Sequence, residues 1–94
     1  MNVENSSMFT IVDVQHLNQG HIIANQYYIE GIDSDTDLDN PDYYRSLSLI
    51  ILANTKTNTF YFIYFESPTY NWDEEWKTGQ VLVDALLELL GVKP

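Results

Sequence analysis

From Met8 to Glu66 the chain alternates between runs dense in β-branched and aromatic residues and short runs of Gly, Asn, Asp, Thr and Pro. That pattern predicts four strands. Met8 to Gln15 (MFTIVDVQ) is the first, with Met8, Thr10, Val12 and Val14 on one face and Phe9, Ile11, Asp13 and Gln15 on the other. Leu17-Asn18-Gln19-Gly20 supplies a turn, Gly20 being able to take a positive φ. His21 to Glu30 then returns as the second strand of an antiparallel hairpin. Gly31 to Asp42 (GIDSDTDLDNPD) is built of residues that strands avoid and is expected as an acidic loop. Tyr44 to Ala53 and Thr59 to Glu66 are the third and fourth strands, joined by the polar stretch Asn54 to Asn58. Both are apolar on two faces over part of their length, which predicts a central place in the sheet for each.

Ser67-Pro68-Thr69 breaks the last strand. Asn71 with Glu74 three residues later fits a helix N-cap with a supporting carboxylate, and Asp73, Glu74 and Glu75 then lie at the positive end of the helix dipole. Thr78-Gly79 is expected either to interrupt this helix or to cap a second one, since glycine is a poor interior residue. Gln80 to Leu90 is helical, and Gly91 ends it. At about 100° per residue, Gln80, Asp84, Glu88 and Gly91 share one narrow stripe, while apolar side chains from Val81 to Val92 fill roughly 240° of the wheel. Packing on one sheet face uses about half of that arc. The surplus calls for a cover: the aromatic-rich segment before the helix, a second copy, or a partner.

The elements add up to an α+β domain, a four-stranded antiparallel meander with the C-terminal helix packed across one face. Ninety-four residues hold one core, so 1–94 reads as a single domain with Met1 to Ser7 as a disordered polar arm.

Charge changes the picture most. Fourteen Asp and Glu against four Lys and Arg give a formal net charge of −10, in a chain that is still 45% hydrophobic and so is built to fold. Direct binding to nucleic acid or to an anionic membrane needs a basic footprint that this chain lacks. A basic protein partner is the expectation instead. The chain has no cysteine, which excludes disulfides, thiolate metal clusters and thiol catalysis together. Val81 to Leu90, the longest apolar-rich stretch, is interrupted by Asp84 and Glu88 and is too short to span a bilayer. With no basic, apolar leader at the start, a cytoplasmic protein is expected.

Candidate chemistry is sparse. Asp33, Asp35, Asp37 and Asp39 recur at every second residue, with Asp42 close behind; in an extended segment they form a row of carboxylates about 6.6 Å apart. Such a row resembles the phosphates of a nucleic-acid strand in charge and spacing, and a basic groove built for phosphate accepts it. The same residues admit a calcium reading, but the EF-hand pattern fails: counted from Asp33, Leu38 stands for the turn glycine and Tyr44 for the closing glutamate. His16 and His21 flank the first turn, and with Asp13 they make only a partial metal site; no metal or other cofactor is expected. Trp72 and Trp76, four apart, share a helix face beside Asp73, Glu74 and Glu75. With Tyr70 they form either an aromatic anchor for a partner's Arg or Lys, or a cover for the edge of the core.

No nucleophile–base pair, phosphate loop or dinucleotide fingerprint is present, so no enzyme is expected. The reading is a small acidic binding protein that occupies the basic surface of a nucleic-acid-handling partner, in the manner of inhibitor and immunity proteins. Asp33, Asp35, Asp37, Asp39, Asp42, Tyr70, Trp72, Asp73, Glu74, Glu75 and Trp76 would carry those contacts. One alternative is an assembly subunit that forms a homodimer through Leu82, Leu86, Leu89 and Leu90. The other is a calcium-binding module built on the Asp-rich loop.

Overall fold

A computed structural model describes residues 8–32 and 44–93. Four strands, β1 (Met8–His16), β2 (Ile22–Ile32), β3 (Tyr44–Asn54) and β4 (Thr59–Pro68), are followed by a single turn of 3-10 helix and by α1 (Trp72–Leu89). The sheet is antiparallel with strands in the order β1-β2-β3-β4, and α1 lies across one face. This is the expected α+β meander.

The turns obey their local chemistry. Gly20 closes the β1–β2 hairpin at φ 56°, and Asn58 takes φ 57° in the β3–β4 hairpin, a left-handed value that asparagine tolerates better than most residues. Helix α1 ends in a Schellman motif. Gly91 at φ 100° follows the C-cap Leu90, its N–H donating to the Glu88 carbonyl at 3.1 Å, while the Val92 N–H donates to Leu87 at 2.8 Å. The motif turns Val92 back into the core beside Leu87.

Cross-strand partners share a sheet face, so the register assigns every side chain. Ile22 and Ala24 of β2, Ile50 and Leu52 of β3 and Ile63 of β4 point to α1 and meet Val83, Leu87 and Val92. Toward the other end of the same face the residues become small and polar. Tyr28, Ser48 and Phe65 form one row across β2, β3 and β4. The Trp76 ring lies 6.0 Å from Tyr28 and 5.6 Å from Phe65, and so sits above Ser48 between them. Trp72 stacks on Trp76 at 5.1 Å and tilts against Phe65 at 5.8 Å. The small side chains of Ser46, Ser48 and Ser67 leave the room that these rings fill. Their hydroxyls stay bonded within the protein: Gln26 Nε2 donates to Ser48 Oγ at 2.9 Å, and Ser46 Oγ meets Thr69 Oγ1 at 3.0 Å.

Four local expectations need correction. β4 is an edge strand rather than a central one, so its apolar side chains are not flanked by sheet on both sides. A β-bulge at Val12 breaks the alternation of β1: Ile11 pairs with Ile29 and Asp13 with Tyr28. Phe9, Ile11, Val14 and His16 therefore share one face, with Asp13 and Gln15 on the other. Asn71 makes no side-chain cap; its Nδ2 donates instead to Glu75 Oε1 at 2.9 Å. Finally, α1 runs unbroken through Thr78-Gly79. Gly79 is buried against the Phe65 ring, and a Cβ built on it would come within 2.6 Å of that ring, so the glycine is there for close approach.

Candidate interaction surface

The face of the sheet turned away from α1 is apolar almost from edge to edge. Its rows follow from the register. Ile11, Ile29 and Leu47 lie in one row, Val14, Tyr27, Leu49 and Tyr64 in the next, then Ile51 with Phe62, and Ile23, Ala53 and Phe60 at the far end. Leu47 is buried, but Phe60 is 67% exposed, Phe62 69%, Ile11 55% and Ile23 53%. Among the described residues no element crosses this face. Its polar groups are paired at the ends: Arg45 Nε donates to Glu66 Oε2 at 3.2 Å, and His16 Nδ1 meets Asn25 Oδ1 at 2.6 Å. An apolar surface of this extent and continuity differs from the scattered hydrophobes of an ordinary surface.

The apolar surface continues around the β4 edge. A groove of about 390 Å³ is lined by Tyr61, Phe62, Ile63 and Tyr64 of the strand and by Leu86, Leu89 and Leu90 of α1. The helix surplus read from the wheel is visible here. Gly79, Val83 and Leu87 are buried, whereas Val81, Leu82 and Leu86 are exposed and Leu89 is 82% exposed. The segment between β4 and α1 does not cover them. Leu82, Leu86 and Leu89 thus stand on the solvent side of α1, with Leu90 half-buried against the core.

On the helix side, α1 leaves a second opening beside β1 and β2. This cleft of about 480 Å³ is lined by Gln15, Gln26, Tyr28, Trp76, Asp84 and Glu88 among others. Burial, with the negative charge of Asp13 and Asp84 nearby, raises the Tyr28 hydroxyl above its ordinary pKa.

The residues expected to bind a partner separate into groups. Asp33, Asp35, Asp37, Asp39 and Asp42 lie outside the described residues, as do Met1 to Ser7, and the calcium reading of that loop lies there with them. Asp73 and Glu74 are exposed in the first turn of α1, with Glu74 paired to Lys77 at 3.3 Å, and Glu75 is held by Asn71. Trp72 and Trp76 are half-buried in the aromatic stack and cover the edge of the core, while Tyr70 is 67% exposed. Histidines 16 and 21 do not converge: His16 pairs with Asn25, and His21 lies in the turn, its carbonyl accepting from Thr55. Among the described residues no group of three His, Cys, Asp or Glu side chains could hold a metal ion. No helix among the described residues is long and apolar enough to cross a membrane.

Sequence reasoning missed the open face. Its signal was the apolar character of the last two strands on both faces, together with Phe9 and Ile11 on β1. The bulge at Val12 hid the third member of that edge, Val14, by moving it across the apparent alternation.

Compared with known proteins, the chain matches no family model, no curated protein and no solved structure.

Proposed function

We propose that this chain is a non-enzymatic interaction protein whose working surface is the uncovered apolar face of its sheet. One observation carries the reading: a continuous four-strand apolar face stands exposed in a chain whose net charge is −10. The exposed carboxylates of α1 on the other side of the sheet favour water, and among the described residues the broad apolar face opposite them serves no structural purpose. Exposed apolar surface of this kind costs free energy in water and returns it when another protein covers it. A photo-crosslinking amino acid in place of Ile51, near the middle of the face, is expected to trap a protein adduct in the cells that make the chain. The same probe in place of Lys77, on the helix side, serves as the reference. Absence of an adduct at 51, or equal yields at 51 and 77, contradicts the proposal.

A second reading is supported by the charge. Asp73 and Glu74 at the start of α1 and Asp84 and Glu88 along it are exposed, and the acidic segment between Ile32 and Tyr44 adds five more aspartates. These carboxylates suit a basic protein, including one that handles nucleic acid, through ion pairing and counterion release. Changing Asp33, Asp35, Asp37 and Asp39 to Asn is expected to weaken such binding and flatten its salt dependence. Unchanged affinity for every basic partner captured rejects it.

A further inference from the structure

We infer that the occupant of the open face is a second copy of this chain, the two sheets stacking face to face with their helices outward. The inference rests on the reading that this face is an interaction surface, and it names the partner. Three observations support a copy as the cover.

The first is area. Strands of 9 to 11 residues, at about 3.3 Å per residue and about 4.8 Å apart, give the four-stranded face roughly 19 by 33 Å. Stacking two such faces removes on the order of 1,200 Å² from water, which clears the roughly 1,000 Å² that a specific interface requires. The chain needs nothing larger than itself to cover the face.

The second is electrostatic. A chain at −10 resists meeting its own copy wherever its charge is concentrated. The open face avoids this. Among the described residues its charged side chains are Arg45 and Glu66, already paired at 3.2 Å, and both sit toward one end. The carboxylates of α1 lie on the opposite side of each sheet. With sheets about 10 Å apart and each helix about 10 Å behind its sheet, the two helices are roughly 30 Å from one another. That is several screening lengths of about 8 Å at physiological salt. This stacking keeps like charges on α1 as far apart as the fold allows.

The third is the shape of the face. The two end rows set large side chains beside small ones: Phe60 stands beside Ala53, and Phe9 beside Gly31. Phe60, Phe62 and Tyr64 dominate the β4 edge, and Phe9, Ile11, Val14 and His16 stand along the β1 edge. A two-fold axis in the plane of the sheets and across the strands sets the two ends marked by Ile32 and Tyr44, which flank the acidic segment, at opposite ends of the stack and lays each strand on its own copy. The product is a four-layer helix–sheet–sheet–helix particle with an apolar interior, the arrangement in which two sheets bury their inner faces.

Sedimentation velocity of the full chain over a wide concentration range tests the inference. A dimer is expected, and a monomer at every concentration overturns it. Two variants locate the interface. Ile23→Lys with Ile51→Lys places cations on the open face, where they remain solvated in a monomer and are buried in the stack. The substitution lowers the negative charge, so extra repulsion cannot explain a loss. It is expected to weaken dimerisation at least roughly a hundredfold while circular dichroism stays that of the folded chain. Leu89→Lys, on the solvent side of α1, is expected to leave the dimer intact. A dimer that survives the first variant and dissociates with the second overturns the face-to-face arrangement and assigns assembly to the helix. A monomeric chain that still yields a crosslink from position 51 to a different protein overturns the second copy alone and leaves the interaction surface standing.

Discussion

Gly79 gives the sharpest test of how α1 sits on the sheet. In an exposed helix interior, glycine to alanine stabilises by about 1 kcal/mol. Here the added Cβ would lie 2.6 Å from two atoms of the Phe65 ring, far inside van der Waals contact. The ring has little room to retreat, since Trp72 and Trp76 stand 5.8 and 5.6 Å from it. Overpacking of this kind costs about 1–3 kcal/mol. The clash therefore outweighs the propensity gain, and Gly79→Ala is expected to destabilise by about 1 kcal/mol. For a domain of this size that corresponds to a fall of about 4–8 °C in melting temperature. The assay is thermal unfolding followed by circular dichroism, with both proteins at one concentration, because self-association makes the midpoint concentration-dependent. The control is Phe65→Leu, whose shorter side chain removes the far ring atoms. In that background Gly79→Ala is expected to raise the midpoint. A rise in the otherwise unchanged chain means that α1 does not pack on Phe65 at Gly79, and the account of the helix fails with it.

Other expectations follow from the same packing. Ile50 is fully buried between sheet and helix, so Ile50→Ala is expected to cost about 2–5 kcal/mol in urea unfolding; a loss below 1 kcal/mol argues against that core. Ser48→Ala removes the acceptor of the buried Gln26 amide and is expected to cost about 1–3 kcal/mol, while adding Gln26→Leu recovers part of it; equal costs for the single and double changes contradict the pairing. Tyr28 carries a hydroxyl pKa raised by burial and by Asp13 and Asp84. The folded state therefore keeps that proton to higher pH than the unfolded state. Its contribution is complete below about pH 10 and is lost as the pH climbs above that. Tyr28→Phe is expected to flatten the alkaline loss of stability, and identical pH profiles refute the assignment. Gly31 packs on the Met8 carbonyl and on Phe9 across the β1–β2 pair; Gly31→Ala is expected to loosen β1, read as faster amide exchange from Phe9 to Val12 than in the unchanged chain.

The strands and the helix were legible because each carries its signal locally. Apolar runs bounded by Gly, Asn and Pro marked the strands, and Gly20 and Gly91 stand at the positive φ values that the turn and the helix end require. What failed depended on neighbours far along the chain. The double-faced apolar pattern of Thr59–Phe65 says that both faces prefer to leave water, not whether the cover comes from this chain. That pattern points to a place inside the sheet, whereas β4 lies at the edge. Gly79 reads as a helix breaker until Phe65, fourteen residues earlier and on another element, is known to press against it. Asn71 has the composition of a cap, but its amide is drawn to Glu75. The surplus of apolar residues on α1 was legible, since Leu82, Leu86 and Leu89 could not all turn inward. The larger surplus on the sheet was not, because the bulge at Val12 scrambled the alternation of β1.

The central claim is that the sheet's open face is covered when the protein is at work. The chain has no cysteine, so a single thiol can be placed at Ile23 on that face or at Lys77 on the helix side and labelled with a permeant maleimide in intact cells. The account expects the thiol at 23 to react many-fold more slowly than the one at 77, and to catch up once the protein is unfolded. Equal, rapid labelling of both positions in the cell contradicts it.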